Sequence, residues 1–290
     1  MISLPNGHNI EYLASSGALA YDGRGYWWEQ PLRWVGLLDV SLFTPVTKTL
    51  TYLPNGGNCK RFNPFSCIRF VKDGVLNSFG LGNPGIDWWI KNHREFSGIV
   101  SIYPENDYTL GKMLRKLQET NVIGIELNVS CPNVGRDSFC SNVHNIEYFL
   151  SVTKSNTTLP IIVKLGVGQD IGNLFPQIEK YVDAISIKSV PWNVVFPNIK
   201  SPFEELGGGA LSGKIIQPYI WNFINKLKEI TDIPIIGSSI WEYKDIRILR
   251  ENLKVSAISF GSIFLRYPWR PTEYIRRFEN QETKYGKRLL

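Results

Sequence analysis

Eight short apolar segments, most of them separated by amphipathic stretches, run through a chain of 290 residues and predict an α/β fold of the (β/α)8, or TIM-barrel, type. The strand candidates lie near 11–15, 42–47, 98–103, 123–129, 160–165, 184–188, 234–237 and 255–260. Several are runs of Ile and Val with little alternation, as expected of strands covered on both faces. Between them Leu110, Met113, Leu114 and Leu117 recur at helical spacing, as do Ile220, Phe223, Ile224 and Leu227. Eight strands favour a closed barrel; an open doubly wound sheet is the alternative. Residues 1–290 read as one domain, with no repeat, low-complexity tract or interdomain linker. The aperiodic stretch 49–97 is too long for a simple loop and reads as an insertion after strand 2 that covers the C-terminal mouth.

Composition narrows the function. The chain is 43% hydrophobic and 20% charged, enough to bury a large core and too apolar for a disordered chain. No apolar run approaches the roughly 20 residues of a membrane span. The opening MISLPNGHNIEYLASSG lacks the basic start and long apolar stretch of a secretion signal, so a cytoplasmic protein with no membrane partner is expected. The cysteines (Cys59, Cys67, Cys131, Cys140) form no C-x-x-C pair and only three histidines accompany them, which argues against a metal site and a disulfide scaffold. The net charge of +6 is spread along the chain without a Lys/Arg run. That suits anionic small molecules and phosphate groups better than nucleic acid.

In such a barrel, chemistry sits where the strands end, and here those ends are polar. The first runs into Ser15-Ser16-Gly17, the second into Thr47-Lys48-Thr49, and the fourth into Asn128-Val129-Ser130-Cys131-Pro132-Asn133. The fifth carries Lys164 and the sixth Lys188-Ser189. Gly237-Ser238 and Gly261-Ser262 end the last two, where backbone N–H groups of many barrels hold a phosphate. Gly207-Gly208-Gly209 and Ser212-Gly213 precede the seventh strand and extend that cradle. Lys48 and Lys164 both follow apolar strands, and a buried ammonium needs an anion, so the pair predicts an anionic cofactor or substrate. The NVSCPN segment offers two amides, a hydroxyl and a thiol, suited to a polar planar ring and to proton transfer. Cys140 has no such setting.

ELNVSCPNV resembles the segment that carries the cysteine base in class 1 members of the dihydroorotate dehydrogenase family. LFTPVTKTLT, LNSFGLGNPGID, PIIVKLG and GGALSGKIIQP resemble further motifs of that family, in order, from about Leu13 to Arg266. The resemblance implies an FMN-dependent barrel that oxidises dihydroorotate to orotate in pyrimidine biosynthesis. It makes Cys131 the base, with Lys48 touching flavin and substrate. Ser16, Gly17, Asn128, Lys164 and Ile187 would contact FMN, and Gly213, Gly237, Ser238, Gly261 and Ser262 its phosphate. Asn77, Gly80, Leu81, Asn128, Asn133, Lys188 and Ser189 would face the substrate. A homodimer is implied, with fumarate or, through an iron–sulfur and FAD electron-transfer subunit, NAD as acceptor.

Three stretches depart from the pattern. Lys188-Ser189 stands where the family places Asn-Ser or Asn-Thr, and PIIGSSIWEYKD has serines in place of Gly-Gly and is one residue shorter. LAYDGRGYWWEQPLRW, an aromatic stretch after the first strand, matches no motif of the family. Two other functions stay open: an FMN oxidoreductase of another planar anionic ring, and a flavoprotein subunit of a larger complex.

Overall fold

The computed structural model describes residues 1–60, 63–129 and 143–286, with side chains to residue 281. Its strands are β1 (Ile2–Ser3), β2 (Asn9–Ile10), β3 (Tyr12–Ala14), β4 (Thr44–Pro45), β5 (Ile68–Val71), β6 (Gly74–Asn77), β7 (Ile99–Ile102), β8 (Gly124–Asn128), β9 (Ile161–Leu165), β10 (Ala184–Ile187), β11 (Val190–Pro191), β12 (Ala210–Gly213), β13 (Ile235–Gly237) and β14 (Ala257–Phe260). The helices are α1 (Gln30–Trp34), α2 (Ile86–Asn92), α3 (Asp107–Leu117), α4 (Val143–Asn156), α5 (Ile171–Ile178), α6 (Trp192–Val195), α7 (Gln217–Lys228), α8 (Lys244–Arg247), α9 (Ile263–Arg266) and α10 (Arg270–Gly286).

Eight strands form one parallel sheet in the order β4-β3-β14-β13-β10-β9-β8-β7. Bridges Val46↔Ile99 and Leu50↔Ile102 join its two edges, so the sheet closes into a (β/α)8 barrel. Every strand predicted from the sequence is present, and the open-sheet alternative falls. The lower interior is a dry layer of Leu13, Val46, Ile99, Ile123, Ile162, Ala184, Ile236 and Ala257, all buried. The β1–β2 hairpin, which the apolar pattern does not announce, adds Ile2, Leu4 and Ile10 to that layer. Burying each such aliphatic side chain contributes roughly 1.5–3 kcal/mol. Helices α3 and α7 bury the stripes read from their spacing, and α4 buries Ile146, Phe149, Leu150 and Thr153 in the same way.

The insertion supplies only half of its own sheet. The β5–β6 hairpin pairs through β6 with β12, and β12 with β11, giving an antiparallel order β11-β12-β6-β5. The lid is therefore built jointly by the insertion after strand 2 and the connection between barrel strands β10 and β13. Gly213 of β12 has φ +104, and a Cβ there would stand 2.8 Å from the Gly74 Cα and 2.9 Å from the Trp241 ring. A disulfide joins Cys59 to Cys67 within the lid, Cα atoms 5.2 Å apart; the sequence assigned these two thiols no role.

The aromatic stretch after β3 packs on the barrel through an inverted arrangement. Glu29 is fully buried. One of its carboxylate oxygens accepts the Tyr26 N–H at 2.7 Å, and the other has no hydrogen-bond partner. Burial pushes its pKa up to about 7. The raised pKa fixes the sign of a pH effect: the contribution is complete below the ordinary carboxylate value and is lost as pH rises through about 7. The hydrogen-exchange protection of residues 24–36, taken relative to the intrinsic rate at each pH, is expected to fall between pH 5 and 8, and Glu29→Gln to flatten that dependence; identical protection profiles in parent and variant would locate the titration elsewhere.

Candidate active site

Strand alternation carries the interior from apolar to polar toward the C-terminal mouth. Above Ile99 comes Ser101, above Ile162 comes Lys164, above Ala184 comes Ser186 and above Ala257 comes Ser259. Glu126 of β8 joins this layer and is 4% exposed. Its Oε1 accepts the Lys164 ammonium at 3.0 Å and its Oε2 accepts the Ser186 hydroxyl at 2.9 Å. The sequence reading left Lys164 in need of a bound anion. The structure supplies the anion from the protein itself: Glu126, two residues before Asn128, which the sequence alone does not single out. Its signal was a lone carboxylate inside an apolar strand.

Lys48 has a different setting. Its ammonium donates to the Gly82 carbonyl at 2.5 Å and lies 3.2 Å from the centroid of the Phe79 ring, both in the lid. Among the described residues no carboxylate pairs with it. Burial alone lowers its pKa to about 7. Tyr21 braces the same lid carbonyl, donating its hydroxyl to Gly82 O at 2.8 Å, and its own carbonyl accepts the Trp89 indole N–H at 2.7 Å. Tyr21, Phe79 and Gly82 hold Lys48, and none was singled out from sequence, because the contacts join segments some 30 residues or more apart.

Thr49 connects the strand ends. Its hydroxyl lies 2.9 Å from the Ser101 hydroxyl and 3.3 Å from that of Ser16, and accepts the Asn128 amide at 3.1 Å. Ser16 also donates to Thr47 O at 2.9 Å. Gly17 has φ +77, and a Cβ there would sit 3.2 Å from the Lys48 stem. Three separate groups thus lie at the strand ends: Ser16, Thr49, Ser101 and Asn128 joined through hydroxyls, Lys164 with Glu126 and Ser186, and Lys48 with Gly17 against its stem.

The remaining candidates surround it. Asn77 ends β6, its amide 3.5 Å from Ala210 O. Gly80 has φ +68 and faces the Asn58 side chain, and Leu81 packs against the core. Ile187 ends β10; Lys188 donates its backbone N–H to Leu165 O at 3.0 Å and, with Ser189, forms the joint where the chain leaves the barrel for the lid. Gly237 has a packing reason of its own, since a Cβ would meet Leu249 and Val255 at 2.9 Å. Ser238 follows it, its carbonyl accepting the Trp221 indole N–H at 3.3 Å. Gly261 lies 3.4 Å, at its missing Cβ, from the Ser15 hydroxyl, and Ser262 precedes α9. Where the family pattern has Gly-Gly, buried Asp245 organises the loop instead, accepting the Trp241 and Glu242 N–H groups at 2.9 and 2.8 Å and the Gln217 amide at 2.7 Å. Cys131, Asn133 and Cys140 lie outside the described residues. Among the described residues no cluster of three His, Cys, Asp or Glu is placed to hold a metal ion.

A closed barrel whose strands end in polar residues at the C-terminal mouth, beneath a β-sheet lid, defines a class: a lidded (β/α)8-barrel protein. The family model described as dihydroorotate dehydrogenase matches residues 33–239. Dihydroorotate dehydrogenase A (fumarate) of Lactobacillus delbrueckii is 30% identical over 189 residues, covering 60% of this chain and 62% of that protein. The chain thus matches somewhat less than two thirds of that relative's length. The dihydroorotate dehydrogenase B (NAD(+)) catalytic subunits of Thermoanaerobacter pseudethanolicus and Caldicellulosiruptor saccharolyticus are 33% and 30% identical, over 69% and 80% of this chain and 68% and 77% of their own lengths. The structure of DHODH in complex with ferulenol from Eimeria tenella superposes with a TM-score of 0.64 at 17% identity, over 95% of this chain and 82% of that one, a likeness of fold. The chain belongs to the dihydroorotate dehydrogenase family.

Proposed function

We propose that the chain, 1–290 as one unit, binds FMN at the barrel mouth and oxidises dihydroorotate to orotate in pyrimidine biosynthesis. The observation that carries the reading is Lys48: a buried ammonium with no carboxylate partner among the described residues, held beneath the lid by the Gly82 carbonyl and the Phe79 ring. An unpaired buried cation costs several kcal/mol unless an anion joins it, and both a flavin phosphate ester and a carboxylated pyrimidine are anions. The polar layer fits that group, with Gly17 and Gly261 keeping backbone close to the ring and phosphate.

FMN, when bound, supplies the hydride acceptor for C6 of the substrate. Cys131 takes the C5 proton as thiolate. Lys48 holds the substrate carboxylate and the edge of the flavin, and Lys164, kept in place by Glu126, faces the charge that develops on the reduced ring. Asn128 and Asn133 orient the pyrimidine, with Asn77, Gly80 and Leu81 closing over it from the lid. Ser16, Ile187, Gly213, Gly237, Ser238 and Ser262 complete the cofactor site. The protein acts as a homodimer, with fumarate or an iron–sulfur and FAD subunit taking the electrons. Its place is the cytoplasm.

The test is reconstitution with FMN followed by turnover of dihydroorotate with a dye acceptor. One flavin per chain and orotate formation are expected; a chain that takes up no FMN ends the reading. Lys188 sets the finer specificity. A family amide both donates and accepts, whereas a lysine only donates. An unpaired ring N–H costs on the order of 1–3 kcal/mol, so if Lys188 replaces that amide in the pocket, Lys188→Asn tightens orotate roughly tenfold to a hundredfold, and such a gain would point to another planar anionic ring as the natural substrate. Weaker orotate binding in that variant would make Lys188 part of a working dihydroorotate pocket; an unchanged affinity would place its side chain outside it.

A further inference from the structure

Residues 24–38 carry their polarity inside out. The one carboxylate of the segment, Glu29, is fully buried, and beside Arg24 and Gly36 the residues turned to solvent are the apolar Trp27, Trp28, Pro31, Trp34, Val35 and Leu37. Trp27 and Trp34 are 81% and 82% exposed. Contiguous exposed apolar residues of this size mark a contact surface, and nothing in the proposed reaction uses this one.

We propose that this face is a peripheral docking surface for an anionic lipid bilayer. The first reason is the shape of the contact. Trp27 and Trp34 project into solvent with most of their surface uncovered, which suits insertion among headgroups, where the amphipathic indole is at home. The segment is also preorganised. Tyr26 stacks on Trp28 with centroids 4.4 Å apart and planes within 4°, and its hydroxyl donates to Gly17 O at 2.9 Å, so the indoles are anchored directly to the barrel mouth.

The second reason is charge. Among the described residues no carboxylate lies within ion-pair distance of Arg24, Arg33 or Arg277, which rim the face; Arg276 pairs with Asp39 at 2.9 Å. An open cleft of about 670 Å³ runs between Leu37 and Trp269, bordered by Arg276, Arg277 and a single carboxylate, Glu273. An apolar face with a cationic rim is complementary to an anionic membrane surface and repels a second copy of itself. Docking is peripheral, since no helix among the described residues is long and apolar enough to cross a membrane. The proposal stands independently of the proposed chemistry.

The test uses the full chain in flotation with vesicles of phosphatidylcholine, alone or mixed with phosphatidylglycerol, with light scattering of the free protein in parallel. The chain is expected to float with the anionic vesicles only and to be released by high salt. Trp27→Ser/Trp34→Ser is expected to lower the partition by about tenfold or more, and Arg24→Glu/Arg33→Glu to abolish the preference for anionic lipid, with the far-ultraviolet circular dichroism and melting temperature of each variant recorded to show that it is folded. Equal binding to both vesicle types, binding that survives the Trp substitutions, or no binding at all overturns the proposal. Absence of binding together with loss of self-association in the Trp variant would make the face a contact between copies; absence of both would make it a site for another protein.

Discussion

Cys131→Ala is expected to leave the flavin bound and to slow its reduction by dihydroorotate about 10²–10⁴-fold, the usual loss on removing a general base. The thiol is assigned to the C5 proton and to no cofactor contact, so binding and chemistry should separate. Stopped-flow absorbance of the flavin reads the rate, and the flavin content of the purified variant reads the binding. Cys140→Ala is the control and should behave as the parent. Reduction at the parental rate in Cys131→Ala would place the base on another residue; loss of flavin together with rate would make the cysteine structural.

Glu126→Ala is expected to be the most destabilising single change at the mouth. Lys164 and Glu126 side chains are 14% and 5% exposed, and the carboxylate also holds Ser186. Removing it strands an ammonium inside the barrel, a change that costs about 3–5 kcal/mol. Chemical denaturation should show that loss, while Glu126→Gln, which keeps the hydrogen bonds, should lose less. The double variant Glu126→Leu/Lys164→Met should recover much of the stability and none of the activity, because the pair is then replaced by apolar contact. A loss below about 1 kcal/mol in Glu126→Ala would mean that water reaches the pair freely.

The two variants probe residues of different legibility. Cys131 was visible in the sequence because its neighbours form a dense polar string at the end of an apolar strand. Glu126 lies on that same strand, yet one carboxylate among apolar residues has no meaning until its partner is known. That partner, Lys164, is 38 positions away and comes alongside through the parallel register Asn128↔Lys164. Lys48 shows the same split: its place after an apolar strand marked it for an anion, while its holders Phe79 and Gly82 come from the lid, 31 and 34 residues on.

By itself the sequence determined the eight barrel strands, the main helical stripes and the polar residues that crowd the strand ends. These follow from local chemistry: β-branched runs buried on both faces, apolar side chains at helical spacing, polar groups where strands stop. Only the tertiary structure decided that the lid takes strands from two separate connections, that Glu126 neutralises Lys164 while Lys48 has no carboxylate partner among the described residues, and that Glu29 turns inward as its neighbouring indoles turn out. Each of these depends on which distant segments share a barrel end, and hydrophobic periodicity records which face of an element is buried, never which other element covers it.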